Sequence, residues 1–309
     1  VEETIAAEGQ RFLGWRDVPV RSDTLSASVL ASEPTIRQFF IAKGDAAMDA
    51  EAFERKLFIL RKVISNSVNG GHAPAEVGFT VVSLSCRTVV YKGMFLAHQL
   101  GAYYDDLRDP RYESAVSLVH QRFSTNTWPQ WRLAQPFRLL AHNGEINTIS
   151  GNRNWAMARS RNFQSDLLPD VSSLTPLVSM DGSDSSSLDN MLEVMLAGGM
   201  DVLQAMRILV PPAWQADDRM DAETKAVYEF FGCHIEPWDG PAGIVMTDGR
   251  YAACTLARNG LRPARYVLTE DRHLTVASEI GGYDYDPATV IEKGRLGPGQ
   301  MLAVDLETG

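Results

Sequence analysis

Four short stretches of the sequence concentrate side chains able to bind or transform a polar substrate. His120 to Thr127 reads HQRFSTNT, so an arginine leaves a strand-like run and meets hydroxyls and an amide. Arg122 can grip a carboxylate through a planar fork of parallel N–H···O bonds that lysine cannot reproduce. The plainer alternative is a surface ion pair at a strand end. His142 to Asn147 reads HNGEIN and follows a second strand-like run. A tight turn accounts for Asn-Gly, because both residues tolerate positive φ. The sharper alternative aims the Asn143 side-chain amide and the Gly144 backbone N–H at one oxygen. Two such donors form an oxyanion hole, each worth roughly 3 kcal/mol of transition-state stabilisation.

Met180 to Asn190, MDGSDSSSLDN, stands before the strongest helical pattern in the chain. A serine at the N-cap (Ser185, Ser186 or Ser187) with an aspartate near the positive helix end explains most of this composition. It does not require Asp184, whose carboxylate is available for a substrate ammonium group. Ala257 to Arg265, ARNGLRPAR, places three arginines around another Asn-Gly turn. It fits a loop that holds a substrate or a neighbouring domain, and, more simply, a solvated turn.

The elements that must carry these stretches are legible in part. From Asp49, Phe53, Leu57, Leu60 and Ile64 recur at helical spacing, and the pattern ends in the polar cluster Asn66 to Gly71. Gly78 to Ser85 and Thr88 to Tyr91 are rich in Val, Thr and Tyr and predict a hairpin. Ala115 to Phe123 and Phe137 to Ala141 read as strands leading into the first two stretches. A helix from Leu188 presents Met191, Leu192, Met195 and Leu196 and stops at Gly198-Gly199. Further helices are predicted over Val202 to Leu209, closed by Pro211-Pro212, and over Ala222 to Phe231 with Asp221 as N-cap.

The last quarter turns to hairpins. Ala242 to Thr247 and Tyr251 to Leu256 flank Asp248-Gly249, a type I′ signature. Tyr266 to Leu268 pairs with Leu274 to Ala277, and Met301 to Asp305 closes the series. Residues 1–45 show no clean period, and Glu33-Pro34 reads as a break. Antiparallel strands grouped apart from helices predict an α+β fold with layered packing.

Composition narrows the partners. A chain of 309 residues, 45% of them apolar, suits about two domains or one large one with a sizeable core. No internal repeat or low-complexity linker divides it. A formal charge of −10 and no run of Lys or Arg disfavour nucleic acid and anionic membrane surfaces. No stretch reaches the ~18 uninterrupted apolar residues of a membrane span. Three cysteines (Cys86, Cys233, Cys254) and six histidines show no metal-ligand spacing, so no metal site is expected and a reducing, cytoplasmic compartment fits.

Together HQRFSTNT, WPQWRLAQPFRLLAHNGEINT, GSDSSSLDN, SLSCRTVVYKGM and ARNGLRPARYVLTED followed by ASEIG resemble the class II glutamine amidotransferase domain of the glutamate synthase large subunit. The similarity runs in order from about Gly78 to the last residue, and residues before about 75 suit a family-variable region. The resemblance implies that residues 1–309 are one partial amidotransferase domain. Its fold would be a four-layer αββα sandwich of the N-terminal-nucleophile hydrolase type, lacking the opening strands. In that family an amino-terminal cysteine attacks the glutamine side-chain amide, its own α-amino group serving as base. Ammonia then passes to a flavin domain, adds to 2-oxoglutarate and yields L-glutamate. Carried over by residue, Arg122 binds the L-glutamine α-carboxylate and Asp184 its α-ammonium group. Asn143 and Gly144 form the oxyanion hole, and Thr125 lines the pocket.

The parent enzymes use FMN, a 3Fe-4S cluster and NADPH, NADH or ferredoxin, none with a site expected in this chain, and some act with a small electron-transfer subunit. Residue 1 here is Val1, not cysteine, and the three cysteines lie in a hairpin, after a helix and in a late strand. An internal cysteine also lacks the free α-amino group. The chain by itself is therefore expected not to hydrolyse glutamine. A noncatalytic glutamine-binding or regulatory module, and another class II amidotransferase, are the competing expectations.

Overall fold

A computed structural model describes residues 1–70, 77–122, 128–279 and 281–309. Helix α1 (Glu2–Ala7), strands β1 (Arg11–Asp17) and β2 (Arg37–Ala42) and the long helix α2 (Ala50–Asn69) come first. Asp49 caps α2 by accepting from the Ala52 N–H at 2.7 Å. The predicted stripe Phe53, Leu57, Leu60 and Ile64 is buried with Ile5 and Val81. On another side of α2, Phe58 packs with Leu168, Val171, Leu174 and Ala197. The antiparallel β1–β2 pair lies where the sequence shows no clean period. Its alternation of half-buried and exposed residues is obscured by Gly14 at an irregularity between Phe12 and Gly14.

Two sheets carry the rest. The first has the order β3-β4-β5-β9, all antiparallel, from β3 (Leu140–Gly144), β4 (Ala242–Thr247), β5 (Tyr251–Leu256) and β9 (Met301–Asp305). The second has the order β7-β6-β8, from β6 (Arg265–Thr269), β7 (Leu274–Ala277) and β8 (Val290–Arg295). Helices α3 (Ile149–Arg159), α4 (Asp184–Ala197), α5 (Val202–Leu209) and α6 (Ala222–Gly232) lie between β3 and β4 in sequence.

Strand alternation gives the first sheet two apolar faces. Leu140, Ile244, Met246 and Ala253 meet Leu188, Met191 and Leu192 of α4 and Met206 and Leu209 of α5. Val245, Cys254, Leu256 and Leu302 on the other face meet Tyr266 and Val276 of the second sheet. The α+β class expected from the sequence is thus built as helices on a sheet on a sheet. Leu140, Leu188, Leu192, Met206 and Leu209 are fully buried, each contributing roughly 1.5–3 kcal/mol of transfer free energy.

Several local expectations are corrected. The predicted hairpin of Gly78 to Ser85 and Thr88 to Tyr91 forms no ladder. Ser85 and Cys86 are instead tied to Glu54 of α2, and the Ser85 hydroxyl accepts from the Arg87 and Thr88 N–H groups. High β-propensity reports a side chain's fit to a pleated surface, and a ladder still needs a partner strand. Ala115 to Arg122 is likewise outside any strand, and Phe123 lies outside the described residues. The strand predicted over Phe137 to Ala141 is β3, which begins at Leu140 and reaches Gly144.

Ser183, not a later serine, caps α4, its hydroxyl accepting from the Ser186 N–H at 3.1 Å. The β4–β5 turn is not type I′, because Gly249 has positive φ and Asp248 does not. Asp248 holds the turn by accepting from the Arg250 and Tyr251 N–H groups at 2.9 and 2.8 Å.

Candidate active site

The C-terminal end of β3 gathers the polar groups. His142 pairs with Ile244 and lies on the helix side of the sheet, while Asn143 pairs with Gly243 on the opposite side. Two backbone contacts fix His142: Gln135 Nε2 donates to its carbonyl at 2.9 Å, and its N–H donates to Gln135 Oε1 at 2.7 Å. Gly144 follows with φ +145°, and a Cβ there would sit 1.8 Å from the Pro241 carbonyl oxygen. Gly240 approaches reciprocally, with an added Cβ 1.9 Å from the Glu145 oxygen. Two backbone segments therefore cross where neither glycine tolerates a side chain. The crossing holds the Asn143-Gly144 peptide in one conformation.

Asp184 comes to the same place from α4. Its Oδ2 accepts from the Ile146 N–H at 2.8 Å and its Oδ1 from the Ser185 N–H at 2.7 Å. The carboxylate keeps 25% of its side-chain surface exposed. His142 Nδ1 lies 2.9 Å from the Ser185 hydroxyl and 3.9 Å from Asp184 Oδ2. Burial pushes the His142 imidazole down to about 4; the neighbouring Asp184 carboxylate opposes this, and His120 and Arg262 reinforce it. At neutral pH the ring is uncharged and leaves the negative charge of Asp184 uncompensated from that side.

Arg262 closes the other side of β3. Its Nη2 donates to Asn143 Oδ1, and its Cβ lies 3.2 Å from where a Cβ on Gly243 would be. The Ala257 to Arg265 loop is therefore not merely a solvated turn: Arg262 reaches the site and Arg258 pairs with Asp239. Arg265 is exposed but begins β6, so it too lies outside a simple turn.

Arg122 is exposed and has no ion-pair partner among the described residues, so the surface salt bridge considered for it is not formed there. His120, two residues earlier, has its imidazole pushed down by burial, against the pull of nearby Arg122 and His142 backbone groups. Thr125 lies outside the described residues.

The structure thus brings the Asp184 carboxylate to the segment that follows Asn143 and Gly144, and among the described residues the Arg122 side chain forms no hydrogen bond or ion pair with them. Arg262, His142, Gly240 and the Ile146 N–H were missed. The ARNGLRPAR arginines were the only sequence signal for the first of these.

The three thiols lie elsewhere. Cys86 and Cys233 are exposed, and Cys254 is buried in the core between the two sheets. Burial raises the thiols of Cys86 and Cys254 to about 11, which makes both poor nucleophiles. Their separation on different elements does not fit an iron–sulfur cluster. Among the described residues no helix is long and apolar enough to cross a membrane.

Comparison with known proteins identifies the family. The family model described as glutamine amidotransferases class-II matches residues 1–309. The glutamate synthase (NADPH) large chain of Azospirillum brasilense is 44% identical over 310 residues, covering 100% of this chain and 20% of that one. A ferredoxin-dependent glutamate synthase 2 of Synechocystis sp. is 43% identical over 310 residues, covering 99% and 19%. A glutamine phosphoribosylpyrophosphate amidotransferase structure from B. subtilis is 18% identical, covers 61% of this chain and 32% of that one, and superposes with a TM-score of 0.34, too distant to bear on the fold. The chain spans about one fifth of the length of the glutamate synthases it matches. With the match extending from the first residue to the last, the chain belongs to the class II glutamine amidotransferase family.

Proposed function

We propose that this domain binds L-glutamine and hydrolyses its side-chain amide, releasing ammonia that the remainder of a glutamate synthase transfers to 2-oxoglutarate to form L-glutamate. The observation that carries the reading is the hydrogen bond from the Ile146 N–H to Asp184. It supports the reading by holding the Asp184 carboxylate, on α4, against the backbone segment that carries Asn143 and Gly144. A zwitterionic amino acid needs a cation and an anion a few ångströms apart, with the reacting carbonyl held at donors beyond them. Arg122 supplies the cation for the α-carboxylate, Asp184 takes the α-ammonium group, and Thr125 lines the pocket.

In the reaction a thiolate sulfur bonds to the amide carbon, and the carbonyl electron pair moves to oxygen. The Asn143 amide and the Gly144 N–H stabilise that oxyanion. Its collapse transfers to the nitrogen the proton that the base took from the thiol, expels ammonia and leaves a thioester for water to hydrolyse. Cys86 lies beside α2, Cys233 just past α6 and Cys254 in the core between the sheets, and none of them is given the nucleophile's role. FMN, a 3Fe-4S cluster and NADPH, NADH or ferredoxin act with the flavin domain and any electron-transfer subunit. A cytoplasmic setting suits three unpaired thiols.

Thiol placement also supports a second reading, a noncatalytic glutamine-binding module. Ammonia release from L-glutamine separates the two. The full-length gene product should release ammonia, and the 309-residue chain should not. A full-length product that binds glutamine without releasing ammonia would establish the module instead.

A further inference from the structure

Asn143 Oδ1 accepts from Arg262 Nη2, although 119 residues separate the two in sequence. A guanidinium donates and cannot accept, so only the oxygen of the Asn143 amide can face it. The amide nitrogen and its two protons must then point the other way. Without such a partner a side-chain amide turns by half a rotation at little cost and presents an acceptor where a donor is needed.

The surroundings hold Arg262 in place. It leaves the Ala257 to Arg265 loop and packs over Gly243, the residue that pairs with Asn143. A Cβ at position 243 would lie 3.2 Å from the Arg262 Cβ, so a side chain there would crowd the base of the arginine. Gly260, at the turn of the same loop with φ +56°, is pressed against Pro298, its absent Cβ falling 2.8 Å from Pro298 Cα. The loop has little freedom to withdraw the arginine.

We infer that Arg262 is a positioning residue for the reaction: by occupying Asn143 Oδ1 it fixes the amide orientation that presents Nδ2 to the developing oxyanion. This rests on the reading of Asn143 as an oxyanion donor. The positive charge of Arg262 also withdraws electron density from the amide oxygen, which makes the Nδ2 protons stronger donors.

The test is a double-mutant cycle on glutamine hydrolysis by the full-length gene product, using Arg262→Gln, Asn143→Ala and the pair. Glutamine at position 262 can donate or accept, so the Asn143 amide is free to turn. Arg262→Gln should lower kcat roughly 10- to 100-fold, part of the loss expected for removing a donor, with KM for glutamine little changed. In the Asn143→Ala background the same substitution should cost nothing further. An equal loss in both backgrounds, or none in either, overturns the inference while leaving the oxyanion reading intact. If Asn143→Ala leaves kcat unchanged, the oxyanion reading falls and the inference with it. Thermal melts monitor folding. Should Arg262→Gln fail to fold, Arg262→Lys enters the same cycle, and a kcat loss confined to the Asn143 background is again required.

Discussion

Asp184 Oδ2 accepts a hydrogen bond from the Ile146 N–H at 2.8 Å, joining the first turn of α4 to the segment that follows β3. The bond ties the carboxylate proposed to bind the substrate ammonium to the backbone that carries the proposed oxyanion donors, so the two cannot shift independently. It also explains the place of Asp184 next to its cap. Ser183 satisfies the Ser186 N–H, which leaves the carboxylate free to reach across.

Asp184→Asn separates charge from architecture. The amide oxygen can still accept from Ile146, so the melting temperature should stay within a few degrees. A charge-assisted contact worth roughly 1.5–3 kcal/mol is lost, so KM for glutamine should rise about 10- to 100-fold. Steady-state kinetics on the full-length protein check this, and an unchanged KM contradicts the role given to Asp184.

Arg122→Lys keeps the charge and removes the fork. Because one ammonium cannot grip both carboxylate oxygens in plane, most glutamine recognition should vanish, seen as a KM increase of at least about tenfold. A Michaelis constant equal to that of wild type would make Arg122 structural only.

Gly144→Ala tests the backbone crossing. Its Cβ would fall 1.8 Å from the Pro241 oxygen, at a residue with φ +145°, so the strand end must move. Urea unfolding of the chain should show a loss of about 2 kcal/mol or more. A loss under about 0.5 kcal/mol, the range of an unremarkable surface change, would mean the crossing yields easily.

Much of this was legible because it is local. The α5 span Val202–Leu209 and the strands Ala242–Thr247, Tyr251–Leu256 and Met301–Asp305 match their periodicity residue for residue. Asn143, Gly144 and Asp184 stood out by residue type beside element ends. What escaped was decided by distant partners. Arg262 acquires its meaning only when the loop after β5 packs over Gly243. The Gly78 to Tyr91 runs have strand composition but no ladder partner among the described residues. The β1–β2 pair hid behind an irregular register.

His142 makes stability depend on acidity. Its imidazole is held at about 4 in the fold against an ordinary 6.5, so below 6.5 the unfolded chain binds the proton first. Stability from this group is complete above 6.5 and is lost as pH falls toward 4. Asp184, Glu145, His120 and Arg262 are the charged or titratable neighbours. Burial raises Asp189 to about 6, with an opposing effect over part of this window, so the comparison is with His142→Gln. Between pH 7 and pH 4 the wild type should lose roughly 3 kcal/mol more than the variant. Parallel urea-unfolding curves against pH would contradict the buried, neutral histidine.

The most direct measurement is kcat for ammonia release from L-glutamine by the full-length protein, wild type against Asn143→Ala. If the Asn143 amide and Gly144 N–H form an oxyanion hole, removing the side-chain donor should lower kcat by about 10²- to 10³-fold with KM little changed. A kcat within twofold of wild type would show that the asparagine at the end of β3 serves only the turn.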